Sequence, residues 1–322
     1  MSTGALPRTR RRAERDAAPA AARGAQLGHG RFTPWLFMAP YLTLFGVFVA
    51  LPVIYGLWIS LHNWDQFLAE KPWVGLQNYT DLFTPGSAKA EPFWRAMLAT
   101  GLFTALSVPL LVVLPLFVAL LLNKRFPGRT FFRAAFFAPY VLGVAVVGVL
   151  FRFILDPNVG ALNYVLGQIG LPDDTPWTTA EPWVWVSLVG MTVWWTLGFN
   201  TIIYLAGLQD IDGQLYDAAE VDGAGRWARL RHVTLPGLRP VIVFVITVTL
   251  LASANMFGQA YLTTQGAPSE RTRTAIMFIA EEGFNDFHLG SAAAMSYVLA
   301  LFLMALSAGV FFLFRDRKEA RA

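Results

Sequence analysis

The chain carries its apolar residues in long blocks separated by polar connections. Six apolar stretches, at 36–60, 96–122, 134–155, 184–207, 238–260 and 291–314, each match or exceed the roughly 20 residues a helix needs to cross about 30 Å of hydrocarbon. This pattern predicts an all-α, polytopic membrane protein with six transmembrane helices. Only Arg152 and Arg239 are charged within the stretches. Both lie near a boundary, where an arginine can snorkel to the headgroups. Pro52, Pro109, Pro115 and Pro139 fall inside them and predict kinks, tolerated where neighbouring helices satisfy the freed carbonyls.

Charge sets the expected orientation. Residues 1–34 form an arginine-rich tail with no apolar run, expected to be disordered and cytoplasmic, and residues 315–322 form a second basic tail. With the connections around 123–133 and 208–239, these tails hold nineteen of the 25 Lys and Arg residues. The positive-inside rule therefore places both ends in the cytoplasm. No cleaved leader is expected, because the first apolar stretch begins late and is too long. Composition agrees: 55% of the residues are hydrophobic and 14% charged, and mean hydropathy is +0.48. Cysteine is absent and only four histidines occur, so no disulfide framework or metal site is expected. The connections between spans on the outer side should be turns and short interfacial helices, with Trp177, Trp183 and Trp185 as headgroup anchors.

The polar residues narrow the function. No Asp, Glu or His lies in the middle of a stretch, so no proton relay of an ion-coupled carrier is visible. No GxxxxGK[ST] loop is present, so an ATPase would have to be a separate protein gripping a cytoplasmic element. The connection 208–238 suits that role. It reads as a helical segment from Leu215 to Ala219, a break at Asp222 and Gly223, and a second segment from Ala224 to His232 closed by Pro236. Leu215, Tyr216, Ala218, Ala219, Trp227 and Leu230 would offer apolar contacts to a groove. A surface helix lying on the headgroups is the alternative.

This connection resembles the cytoplasmic loop of permease subunits of binding-protein-dependent ABC importers, whose signature is EAA, three residues, Gly, nine residues, then a hydrophobic residue, any residue, Leu-Pro. Here Asp217, Ala218, Ala219, Gly223, Val233, Leu235 and Pro236 keep every interval. Asp217 replaces the usual Glu, shortening its reach by one methylene. Further segments, VGLQNYTDLF (Val74 to Phe83), FFRAAFFAPY (Phe131 to Tyr140), DPNVGALN (Asp156 to Asn163), WTLGFNTIIYLAGLQDI (Trp195 to Ile211) and LTTQGAPSERT (Leu262 to Thr272), are similar to the sugar and glycerol-phosphate, maltose-type branch. The resemblance covers about 35–314. It implies a type I importer permease fold over that range, with the coupling loop at 208–237. It further implies a second homologous permease, a dimer of cytoplasmic ATP-binding subunits holding ATP and Mg, and an extracytoplasmic solute-binding protein. The chain itself would hold no cofactor, perform no catalysis and bind no nucleic acid. Asp217 would cap or pair, and Gly223 would make the turn between short helices.

A neutral polyol requires hydrogen-bonding groups and flat apolar surfaces. Ser253, Asn255, Gln259 and Tyr261 form the densest uncharged polar cluster near a stretch, with Asn255 and Gln259 expected on one helix face. Trp194, Trp195 and Asn200 are further pathway candidates; each of these side chains could instead bind helix to helix. Two other function classes remain at this point: a scaffold that docks a cytoplasmic protein through the same loop, and an ion-coupled carrier.

Overall fold

A computed structural model describes residues 33–314. The two tails lie outside the described residues, except that positions 33 and 34 already open the first helix. The chain divides into two compact units, one ending at Gly56 and one beginning at Leu57. In the first unit, α1 (Thr33–Phe45) passes through a π-helical turn, Gly46–Ala50, into α2 (Leu51–Ser60), whose last four residues belong to the second. The N–H of Leu51 reaches the carbonyl of Gly46, and Pro52 directly after it has no N–H to restore the ordinary register.

The second unit continues with α3 (Gln77–Phe83), α4 (Ala90–Leu122), α5 (Arg129–Val141), α6 (Val144–Ile154), α7 (Ala161–Gln168) and α8 (Trp183–Asp210). A short-helix arm follows: α9 (Gly213–Val221), α10 (Arg226–Arg229), a π-helical turn and α11 (Leu235–Gly237). Then come α12 (Arg239–Ala254), α13 (Gly258–Thr263), α14 (Ala275–Phe284) and α15 (Leu289–Phe314). The described residues form no β-sheet, only two isolated bridges.

Four helices are continuous and apolar enough to cross a bilayer: Trp35–Ser60, Ala90–Leu122, Trp183–Gln209 and Leu289–Phe314. The third expected span is a bent pair, and the fifth continues from the short-helix arm across a second bend. Arg129–Val141 and Val144–Ile154 meet at 94°, and Arg226–Gly237 and Arg239–Ala254 at 66°. Counting each pair once gives the six expected spans of an all-α polytopic fold. Three expectations are corrected. Pro236 does not end the second segment, which runs on from Arg226 through a π-helical turn to Gly237, and the bend falls at Leu238. The fifth helix ends at Ala254. Trp185 is a core residue, 7% exposed, while the Trp177 indole donates to Asn163 Oδ1 at 2.7 Å.

At about 50 Å long, α4 reaches all three packed clusters of the unit, through Phe103, Phe93 and Ala119 in turn. Lipid tails are as apolar as leucine, so shape and interhelical hydrogen bonds hold such helices together. The bonds form a ladder between α4, α8 and α12. The Ser107 hydroxyl donates to Ser253 at 3.1 Å. One turn along α4, Asn200 Nδ2 donates to the carbonyl of Leu111 at 2.9 Å and to Thr249 Oγ1 at 3.1 Å. Pro115, four residues after Leu111, lacks the N–H that this carbonyl would otherwise accept.

A further turn along α8, the Tyr204 hydroxyl is fully buried and has no partner among the described residues. Removing an unmatched buried hydroxyl removes a desolvation penalty of about 1–3 kcal/mol. Tyr204→Phe is therefore expected to keep or raise the melting temperature in detergent; a fall of several degrees would show that the hydroxyl is bonded.

Where α4 and α15 begin, the connections close over Glu282 of α14, which is 6% exposed. Its carboxylate accepts from Lys89 at 2.8 Å and Ser291 at 2.6 Å, with His288 Nδ1 at 3.2 Å. Burial pushes this carboxyl up, but the bonds from Lys89 and Ser291 and the charges of Lys89 and His288 outweigh it, leaving it below its ordinary value. Stability from a depressed acid is present above the unfolded value near 4.3 and is lost as pH falls through the folded one. Melting followed from pH 7 to pH 3.5 should fall across that window. Glu282→Gln should cost about 2 kcal/mol at pH 7 and flatten the acid limb; a parallel, unflattened limb would refute the assignment.

Candidate functional site

The bend between α5 and α6, α8, and the break between α12 and α13 enclose one space. At the first bend, Leu142 and Gly143 are both extended, with ψ of 134° and 149°, turning the chain from α5 into α6. The Trp195 indole on α8 donates to the Leu142 carbonyl at 2.9 Å and holds the corner. Gly198, one turn further along α8, lets the backbone of α5 approach: a Cβ there would stand 2.1 Å from the Phe136 carbonyl oxygen. On the other side, α13 packs against α6 through Gly258 and Gly148, where added Cβ atoms would stand 2.8 Å from Val144 and 2.7 Å from Leu262.

Between these walls lies a cavity of about 800 Å³. Asn200, Ser253, Asn255, Gln259 and Tyr261 all line it, as does Trp195. Trp194 does not; its ring packs on Phe151 at 5.3 Å. Asn255 and Gln259 share the cavity but no helix face, because Asn255 terminates α12 and Gln259 belongs to α13. Two stacked aromatic pairs contribute to the wall: Tyr140 on Phe199 at 4.6 Å and Phe257 on Tyr261 at 5.1 Å.

The polar groups of the wall divide by whether the protein already uses them. Thr192 and Thr196 donate to carbonyls one turn back, Asn200 and Ser253 belong to the ladder, and Trp195 holds the corner. Asn255 spends one amide N–H on Leu251 at 2.7 Å. The side chains of Gln259, Tyr140 and Tyr261 hydrogen-bond to no described residue. The sequence alone suggested Gln259 and Tyr261 but not Tyr140, whose only signal was its place after Pro139 at the end of an apolar run.

The arm between α8 and α12 is the second site. Asp212 caps α9, its Oδ1 accepting from the N–H of Gln214 at 2.9 Å. Gly223 ends the helix with φ of +74°. Its N–H bonds to Glu220 O at 3.0 Å and that of Ala224 to Ala219 O at 2.8 Å, the paired closure that requires a left-handed residue, normally glycine. Gly223 thus makes the expected turn. Asp217 does not make the expected cap or pair: Asp212 caps, Glu220 pairs with Arg229 at 2.9 Å, and Asp217 has no partner among the described residues. Ala218 is exposed, Ala219 half-buried, and Leu235 half-buried beside exposed Pro236. Tyr216 turns inward to Thr234 at 3.0 Å, leaving Leu215, Val221 and Trp227 as the large exposed apolar side chains, Trp227 at 74%.

Known proteins share this architecture and sequence. The trehalose/maltose transport system permease protein MalF of Thermococcus litoralis is 34% identical over 282 residues, covering 87% of this chain and 91% of its own. The sn-glycerol-3-phosphate transport system permease protein UgpA of Yersinia pestis is 31% identical over 286 residues, covering 88% and 94%. A crystal structure of a bacterial ABC transporter involved in the import of the acidic polysaccharide alginate contains a similar chain, 25% identical, with a TM-score of 0.73 and coverage of 87% and 95%. The family described as the inner membrane component of binding-protein-dependent transport systems matches residues 86–319. Family match, full-length relatives and helical architecture agree, and the chain belongs to the inner-membrane permease components of binding-protein-dependent ABC importers.

Proposed function

We propose that this permease belongs to the maltose-type branch and forms half of a pathway for a saccharide, polyol or glycerol phosphate. A second homologous permease completes the pathway, and an extracytoplasmic binding protein delivers the solute. Both ends of the chain are cytoplasmic in this reading, and the cytoplasmic ATPase dimer, which holds ATP and Mg, grips the arm 208–237. The observation that carries the reading is the arm itself: two short helices locked by Gly223 and Glu220–Arg229, with Leu215 and Trp227 exposed and Asp217 unengaged. A rigid arm with an aromatic anchor suits a protein cleft. When ATP closes the dimer, pulling on such an arm shifts the balance between inward-open and outward-open forms.

The test is reconstitution of the chain with the permease, ATPase and binding protein encoded beside it, measuring ATP hydrolysis against a solute panel. Stimulation by one loaded binding protein is expected. Trp227→Ala should weaken ATPase association roughly 30-fold, the effect of losing an aromatic anchor, with the membrane part still folded. An intact complex with unchanged affinity would remove the arm from the interface, and no stimulation by any solute would favour the scaffold reading.

A further inference from the structure

We propose that the cavity admits only an uncharged, hydroxyl-rich solute, recognised by Tyr140, Gln259 and Tyr261. This rests on the importer reading and narrows it, setting the chain apart from relatives named for glycerol phosphate and for an acidic polysaccharide.

The argument begins with charge. None of the residues lining the cavity is Asp, Glu, Lys, Arg or His. An anion entering it would lose water and meet no counter-charge in this chain, a penalty of several kcal/mol. Backbone dipoles offer no substitute. The N-terminal ends of α6 at Val144 and α13 at Gly258 line the cavity, and a helix N-terminus favours anions. Each lies next to the C-terminal end of the preceding helix across a short break, α5 ending at Val141 and α12 at Ala254. Positive and negative ends are therefore paired at both breaks, and their fields offset one another.

What remains is neutral and two-sided. The phenol hydroxyls of Tyr140 and Tyr261 and the amide of Gln259 can each donate and accept, and none is engaged elsewhere among the described residues. A sugar hydroxyl also donates and accepts. Beside these groups lie the two stacked aromatic pairs, flat apolar surfaces for the C–H faces of a pyranose ring. Neutral hydrogen-bonding ends on aromatic walls suit a sugar ring and penalise a phosphate or carboxylate.

The experiment bypasses the binding protein, whose own selectivity would mask that of the cavity. The assembled complex in nanodiscs is titrated with radiolabelled maltose, trehalose and lactose as neutral probes, and with sn-glycerol-3-phosphate and alginate oligosaccharides as anionic ones. Neutral binding without anion binding is expected, weakened roughly tenfold by Gln259→Leu and three- to tenfold by the near-isosteric Tyr140→Phe. Tyr140→Phe guards against a folding artefact, with melting temperature as the check. Anionic probes that bind as tightly as neutral ones would overturn the proposal. So would wild-type affinity in both variants, or no binding of any probe by a complex whose ATP hydrolysis still responds to its loaded binding protein. Failure of the subunits to assemble would instead strike the importer reading.

Discussion

Gly198→Ala is expected to be among the most damaging single-methyl additions in the chain. The new Cβ would stand 2.1 Å from the carbonyl oxygen of Phe136 and 2.6 Å from the Cα of Phe137. Both are backbone atoms, so no side-chain rotation relieves the clash, and α5 must shift away from α8. That shift would carry with it the Trp195–Leu142 bond and the Tyr140–Phe199 stack, which form one wall of the cavity. Overpacking of a well-packed site costs about 1–3 kcal/mol and more where backbone must move, so a loss of at least about 3 kcal/mol is expected. Gly309→Ala is the control, because a Cβ there meets nothing within 4 Å. Melting temperature and monodispersity in detergent should fall sharply for the first variant and hold for the second. Equal behaviour of the two would show that α5 and α8 are not in close contact.

The same corner shows how far sequence reasoning reaches. The apolar runs placed all six spans, because a helix that crosses lipid must be long and nearly uncharged. Such runs say nothing about direction: 134–155 is as apolar across Leu142 as on either side, yet the chain turns there by 94°. Pro139 signalled a weakness in α5, but the turn is held by an indole 53 residues further on, a contact that no local pattern encodes. The end of α12 was hidden for the same reason, and so Asn255 and Gln259 were assigned to one face. Gly223 was legible because its role is local: a helix C-terminus needs a left-handed residue. Asp217 was misread in detail because Asp212 and Glu220, acidic neighbours on the same short helix, were equally able to cap and pair. Asn200 and Ser253, also expected along the pathway, line the cavity. Their polarity is largely committed to the helix ladder, while Gln259, Tyr140 and Tyr261 keep free ends.

Asn200→Ala tests that ladder, and a second substitution tests its cause. Asn200 is 5% exposed, and its amide serves Leu111 O and Thr249 Oγ1 together. Truncation would leave the Leu111 carbonyl unmatched on a buried helix face, where a lost partner costs about 1–3 kcal/mol, besides opening a void. A loss of about 3 kcal/mol is expected. The need for Asn200 arises from Pro115, which withholds the N–H that would normally close on Leu111. Restoring that N–H with Pro115→Ala should therefore reduce the cost of Asn200→Ala, giving a favourable coupling of about 1 kcal/mol in a double-mutant cycle. Additive effects would mean that Asn200 acts through packing alone. A favourable coupling would mean that α4 keeps its kink because α8 supplies the missing donor, so that the proline and the asparagine, 85 positions apart, form one device beside the transport cavity.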